Sequence, residues 1–294
     1  MSIDFVCNEK TKYSKDCLTI IPLYSDNELP KSLNDLKLTN QQINVLNEIK
    51  SNLNTIESFF NFYNNTPIFF IIIKHPIRSA DQCLEIGKII LKCISKFSYK
   101  KIQFIGNELF IKNKETFFLR EIVFSINEST YEFKKYKTNK KLKSDKFNGE
   151  ILIVTSFKND LQKKIKIDGF INAGITTSRN LCSEPSNILT PKKFVDNIRE
   201  LSEIGIEVEI LNEEKMEKLG MNALLCVGRG SPNESYMAIM KWNGGKKSEK
   251  PLVFVGKGVC FDTGGISIKP SLNMEQMKSD MAGAAIVSGT MQSI

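Results

Sequence analysis

Leu252-Val-Phe-Val-Gly-Lys-Gly-Val-Cys-Phe-Asp-Thr-Gly-Gly-Ile-Ser-Ile-Lys-Pro270 is the stretch on which the reading of this chain turns. It opens with four apolar residues, Leu252–Val255, of the types that make a short buried strand. Gly256 and Gly258 bracket Lys257, and the missing Cβ atoms let the backbone approach something closely where the strand ends. Ligands of open α/β sheets sit beyond the carboxyl ends of strands, so the chemistry is expected here. The glycine spacing matches neither the phosphate loop G-x-x-x-x-G-K-[ST] nor the dinucleotide fingerprint G-x-G-x-x-G.

After Lys257 come Asp262, the pair Gly264-Gly265 and Lys269, and then Asp280 on a helix expected to start at Met274. Carboxylates converging with lysines on a glycine-rich strand end can form a divalent-cation site, with oxygen ligands suited to Mn²⁺ or Mg²⁺ and tolerated by Zn²⁺. A lysine beside bound cations loses its proton more easily and can then offer a lone pair. A second lysine that stays protonated can polarise a carbonyl oxygen. The same residues also suit a plainer arrangement, in which Asp262 bonds the turn amides at Thr263–Gly265 and both lysines are exposed ion-pair partners. Spacing alone does not choose between the two.

Outward from this window, the chain alternates strand and helix. Leu18–Leu23, Ile68–Ile73, Lys101–Ile105 and Ile151–Thr155 read as strands. Ser79–Phe97 places Cys83, Ile86, Ile90 and Ile94 on one helical face, with Lys88, Lys92 and Lys96 outside. The three- and four-residue spacing of Thr116–Tyr136 favours a helix over its β-rich composition. Lys134–Lys146 is a dense lysine run that reads as a solvated loop. A helix over Asp160–Cys182 leads to a second unit, where Thr190-Pro191 supplies an N-cap and a first-turn proline. Phe194–Ile204 and Glu213–Leu219 follow as helices, and Glu207–Leu211 and Tyr236–Trp242 as strands. The expected organisation is α/β, with an N-terminal α/β domain (1–158), a linker helix (159–184) and a catalytic-type α/β domain (185–294).

Length and composition agree with two globular domains. The 294 residues are 41% hydrophobic and 25% charged, which excludes a disordered chain. The formal charge is +8, yet only five of the 41 basic residues are arginines, the side chain that phosphate readers favour. That skew fits base-composition bias better than a nucleic-acid surface. Seven scattered cysteines form no C-x-x-C or C-x-x-H pair, so no zinc knuckle or redox pair is signalled and free thiols are expected. Met1 to Lys12 has no apolar core of signal-peptide length, and Pro67–Ile73 falls far short of the roughly 20 residues of a membrane span, so a cytoplasmic protein without a membrane partner is expected. His75 is the sole histidine, which excludes paired histidine ligands and leaves little room for a histidine triad.

Longer motifs then narrow the class. Gly256-Lys257-Gly258, Phe261-Asp262-Thr263-Gly264-Gly265-Ile266-Ser267-Ile268-Lys269-Pro270 and Met277-Lys278-Ser279-Asp280-Met281-Ala282-Gly283-Ala284-Ala285 closely resemble the leucine (cytosol) aminopeptidases, a dinuclear-metal family. Arg179-Asn180-Leu181 with Glu184-Pro185-Ser186-Asn187, and Val227-Gly228-Arg229-Gly230-Ser231-Pro232-Asn233-Glu234-Ser235, resemble two further stretches of that family in the same order.

The resemblance implies an α/β/α metallopeptidase domain that releases N-terminal amino acids from peptides with two divalent cations, Mn²⁺ or Zn²⁺. It implies that Lys257, Asp262 and Asp280 are metal ligands, with Asp262 touching both ions. Lys269 would be the catalytic lysine that holds the scissile carbonyl and also binds substrate. Met274 and Met277 would line the pocket for the first side chain, although methionines at this spacing also serve plain core packing. The family's ion pair lowers the pKa of a bound water, its second motif N-T-D-A-E-G-R adds metal ligands and a bicarbonate-holding arginine, and it assembles as hexamers. That second motif does not occur in these 294 residues. The expectation is therefore an incomplete, C-terminally truncated catalytic domain that binds metal weakly and is inactive alone. A non-catalytic DNA-binding accessory protein and a non-functional gene remnant are the alternatives.

Overall fold

The computed structural model describes residues 3–24, 29–52, 57–73, 77, 79–97, 99–109, 115–138, 147, 149–246 and 248–294. His75 and positions 139–146 of the lysine run lie outside the described residues. The chain divides into two compact units, Met1–Asp168 and Gly169–Ile294.

The first unit is built on a six-stranded sheet of order β1-β6-β5-β2-β4-β3. Its strands are β1 (Asp4–Asn8), β2 (Cys17–Tyr24), β3 (Glu57–Tyr63), β4 (Thr66–Ile73), β5 (Lys101–Ile105) and β6 (Glu150–Val154). Five run parallel, and β3 closes one edge antiparallel to β4. Parallel strands bury both faces, and β4 shows the consequence. Its Phe69, Ile71 and Ile73 join one core, while Ile68, Phe70 and Ile72 join the other. The first core packs under α2 (Ala80–Lys96) and α3 (Glu115–Ser129), and the second takes Leu46 of α1 (Asn40–Asn52).

Local chemistry sets the element ends. Ser79 caps α2 by accepting from the Gln82 amide, and the Gln82 side chain returns to the Ser79 amide, a reciprocal pair that satisfies two free donors. The buried face of α2 is Cys83, Ile86, Ile90 and Ile94, as its spacing predicts. Asn64 and Asn65 join β3 to β4 with φ of 49° and 62°, the left-handed pair that a two-residue hairpin needs and that asparagine tolerates. The β1 edge is covered by Gln162 of α4 (Lys158–Ser183). Its Oε1 accepts the Cys7 amide at 3.0 Å and its Nε2 donates to the Phe5 carbonyl at 3.1 Å.

The second unit pairs β7 (Glu207–Leu211) and β8 (Met237–Lys241) antiparallel. Around them lie α5 (Pro191–Arg199), α6 (Glu213–Lys218), α7 (Asn222–Gly228) and α8 (Ala282–Ser293). Thr190 caps α5 with Pro191 in its first turn, as read from sequence. Leu181, Phe194, Ile198, Met281 and Ala285 form its main apolar cluster. Gly174 of α4 and Gly289 of α8 leave room for the two helix backbones to touch, and the Ser178 hydroxyl donates to the Ala285 carbonyl at 2.9 Å.

Four expectations need correction. Leu252–Val255 is not a strand: it pairs with no strand among the described residues, and its side chains are 51% to 93% exposed, so neither ladder bonds nor burial hold it in a sheet. The alternation of strand and helix suggests a sheet with helical crossovers in the second unit too, whereas its described sheet is one antiparallel pair. The helix expected over Phe194–Ile204 is α5 followed by a 3₁₀ turn, Glu200–Ile204. The helix expected from Met274 onward is a 3₁₀ turn, Met274–Ser279, then α8 from Ala282, with Asp280 in the break. Among the described residues no helix is long and apolar enough to cross a membrane.

Arg120 grips Asp168 through three hydrogen bonds of 2.6 to 3.0 Å, and the Asp168 side chain is only 1% exposed. Arg120→Ala strands that carboxylate, and chemical denaturation of the variant should show a loss of about 3 kcal/mol. All seven cysteines are free. Burial pushes the thiols of Cys7 and Cys260 up to about 11 and those of Cys83 and Cys93 up to about 12. pH 8 lies well below these raised values, so these four thiols are almost wholly protonated and inert there. Burial also raises the thiol pKa of the half-buried Cys17 and Cys182, so titration with an aromatic disulfide at pH 8 should give one fast thiol, the exposed Cys226, and seven after denaturation.

Candidate metal centre

Two backbone segments of the second unit meet without an intervening side chain. Gly256-Lys257 lies against Gly283-Ala284 at the start of α8, and the Ala284 amide donates to the Lys257 carbonyl at 2.8 Å. A Cβ on Gly256 would sit 2.7 Å from both the amide nitrogen and the Cα of Ala284, and one on Gly283 would sit 2.9 Å from the Lys257 nitrogen. The contact places the Lys257 amine 2.8 Å from Oδ1 of Asp280.

A tight loop supplies the other pair. Gly264 and Gly265 take φ of +93° and +69°, a region that side chains other than glycine rarely occupy. The Lys269 amide donates to the Thr263 carbonyl at 2.9 Å and closes the loop. Asp262 accepts the Gly264 amide through Oδ1 at 2.9 Å and the Lys269 ammonium through Oδ2 at 2.7 Å. The Lys269 amine also lies 3.2 Å from the sulfur of Met277. Met274, half-buried, begins the 3₁₀ turn that carries Met277.

Lys257, Asp262, Lys269 and Asp280 therefore share one locality, and Lys257 and Asp262 sense each other's charge. Hydrogen bonding to Asp280 raises the Lys257 pKa above the ordinary lysine value. The Lys269 ammonium, followed by the Gly264 amide, holds the Asp262 carboxyl below the usual carboxylate range. Both features of the plainer arrangement are present: a carboxylate on a turn amide, and lysines in ion pairs. Oδ2 of Asp280, however, is buried and has no hydrogen-bond partner. A buried carboxylate oxygen normally has one, so this atom is free to accept a cation. Among the described residues no three His, Cys, Asp or Glu side chains gather, so the donor set here is two carboxylates and the lysine amines.

Sequence reasoning missed Gly283 and Ala284 as the backbone partners of Lys257. The signal was the small-residue run Ala282–Ala285, which carries no donor or charge and so does not stand out by chemistry. It also credited both glycines of the Gly256-Lys257-Gly258 triplet with a close approach, whereas a Cβ on Gly258 meets only the Ala284 Cβ at an ordinary 3.5 Å.

A sequence profile described as "Cytosol aminopeptidase family, catalytic domain" matches residues 176–294. A probable cytosol aminopeptidase of Phytoplasma australiense is 50% identical over 165 residues, 56% of this chain and 33% of its own length. One from Agrobacterium fabrum is 47% identical over 163 residues, again 33% of its length. One from Brucella anthropi is 37% identical over 217 residues, 73% of this chain and 43% of that protein. The matched stretch thus spans about a third of the length of the first two relatives. Among solved structures, the bottromycin maturation enzyme BotP in complex with Mn matches in fold, with a TM-score of 0.70 at 18% identity, over 95% of this chain and 56% of that one.

Replacing Lys269 tests the ion pairs directly. The Asp262 pKa is depressed in the folded state, so this carboxylate favours folding above its unfolded pKa, and that contribution is lost as pH falls through the folded value. In Lys269→Met the carboxyl-carbon NMR titration of Asp262 should move up toward the ordinary range, and stay partly depressed by the Gly264 amide.

Proposed function

We propose that this chain, whose residues 176–294 match the cytosol aminopeptidase catalytic domain, holds divalent cations through Lys257, Asp262 and Asp280 and uses Lys269 in metal-dependent release of N-terminal amino acids from peptides. The single observation that carries this reading is the juxtaposition of the two ion pairs, Lys257–Asp280 and Lys269–Asp262, beside a buried Asp280 oxygen that has no hydrogen-bond partner.

Bound Mn²⁺ or Zn²⁺ would supply Lewis acidity toward a peptide carbonyl and toward water. The rest is the work of the chain. Asp262 and Asp280 would bring negative charge to the cations, and Lys257, on giving its proton to solvent water, would offer its amine lone pair as a further ligand. With Asp262 holding a cation, the Lys269 ammonium would be free to donate to the scissile carbonyl oxygen, where negative charge develops. Met277, already against the Lys269 amine, and Met274 would line the space for the substrate's first side chain.

Two carboxylates offset half the charge of two dications, so these 294 residues by themselves should bind Mn²⁺ weakly and turn over no leucyl chromogenic substrate. Loss of Mn²⁺ binding in Asp262→Ala, measured by electron paramagnetic resonance, supports the reading. Binding unchanged by Asp262→Ala and Asp280→Ala sinks it. Turnover by the 294-residue polypeptide that Lys269→Ala abolishes would overturn the prediction of inactivity.

A further inference from the structure

We infer that Gly256 and Gly283 are positioning residues for the cation site, whereas Gly258, in the same triplet as Gly256, is not. The inference rests on the reading of Lys257 and Asp280 as metal ligands, and adds what holds those two at one spacing. Lys257 is carried by a segment that is neither helix nor strand, and its own side chain is more than half exposed, so side-chain packing does not fix it. The Ala284 amide does, through its 2.8 Å bond to the Lys257 carbonyl. Ala284 lies four residues after Asp280, and Met281, between them, is fully buried in the unit's core. The short stretch from the break at Asp280 to Ala284 in the first turn of α8, anchored by buried Met281, is therefore a ruler with Asp280 at one end and the Lys257 carbonyl on the other.

The ruler works only where the two backbones touch. The atoms a Cβ on Gly256 would strike are the Gly283 carbonyl and the Ala284 nitrogen and Cα, all backbone, which cannot swing aside as a flexible side chain does. A Cβ on Gly283 meets the Lys257 amide nitrogen from the opposite side. Either methyl must push the Lys257 segment off α8, lengthening the Lys257–Asp280 distance while leaving both side chains in place to be charged. At Gly258 the only neighbour is a methyl at van der Waals distance, and φ lies outside the left-handed region, so alanine fits.

The test uses the 294-residue chain with Mn²⁺ alone as probe, read by the loss of the free-ion electron paramagnetic resonance signal, beside thermal unfolding of each variant. Gly256→Ala and Gly283→Ala should weaken Mn²⁺ binding about 10-fold or more, the scale of losing a supporting contact at a metal site, with unfolding still cooperative. Gly258→Ala should bind as the parent does. In a Lys257→Ala background, adding Gly256→Ala should cost no further affinity, because it acts through Lys257; a merely structural role would add a second loss. Parent-like binding by Gly256→Ala, a persistent second loss in the Lys257→Ala background, or an equal loss in Gly258→Ala overturns the inference. Loss of cooperative unfolding in both Gly256→Ala and Gly283→Ala overturns it as well, because the two glycines then serve the fold of the whole unit rather than the spacing of the cation site. If the parent chain itself binds no Mn²⁺, the metal-site reading fails and this inference falls with it, an outcome separate from the others.

Discussion

Between Gly256-Lys257 and Gly283-Ala284 there is backbone against backbone, held by one amide-to-carbonyl bond of 2.8 Å. That contact brings together residues more than twenty positions apart in the chain, the Lys257 amine and the Asp280 carboxylate. Everything downstream depends on it. The Asp262–Lys269 pair is local, set by a seven-residue loop with two left-handed glycines. The docking of the triplet onto α8, with the Lys269 amine against the Met277 sulfur, brings that loop's lysine and aspartate into the same neighbourhood as the other pair. α8 in turn is held by Met281 and Ala285 in the second unit's core, and by the Ser178 hydroxyl on the Ala285 carbonyl.

The electrostatics of the four charged groups follow from this arrangement. With two ammoniums and two carboxylates, each ion finds an opposite partner, which is why the Lys257 pKa moves up and the Asp262 pKa moves down. Exposed pairs of this kind contribute little to folding. On the proposed metal-site reading, each pair holds in reserve a group that a cation on its carboxylate would set free: the Lys257 amine, once deprotonated, and the Lys269 ammonium. The buried Oδ2 of Asp280 is the one oxygen of the cluster that nothing in the fold satisfies.

Legibility from sequence differed sharply between the two units. The first unit's parallel sheet was readable because its strands, such as Ile68–Ile73, are apolar on both faces, and because α2 repeats its buried residues at helical spacing. Its edges were not. β1 has too few apolar residues to stand out, and its protection by Gln162 depends on a residue more than 150 positions away. β3 became legible only through its pairing with β4. In the second unit, Leu252–Val255 has the composition of a buried strand, but composition reports preference for burial and cannot supply a ladder partner.

The sequence by itself determined which chemical groups are available, two lysines and two aspartates spaced around glycines, and the family whose motifs they match, because motif identity and residue chemistry are properties of the linear chain. It also determined the local loop, since Gly264 and Gly265 permit a turn that other residues resist. Which glycine of the Gly256-Lys257-Gly258 triplet matters, where the helix after Met274 breaks, and which oxygen is left unbonded were decided by tertiary structure alone. Those features are distances between atoms remote in sequence, and a missing Cβ has consequences only where another backbone comes to lie against it.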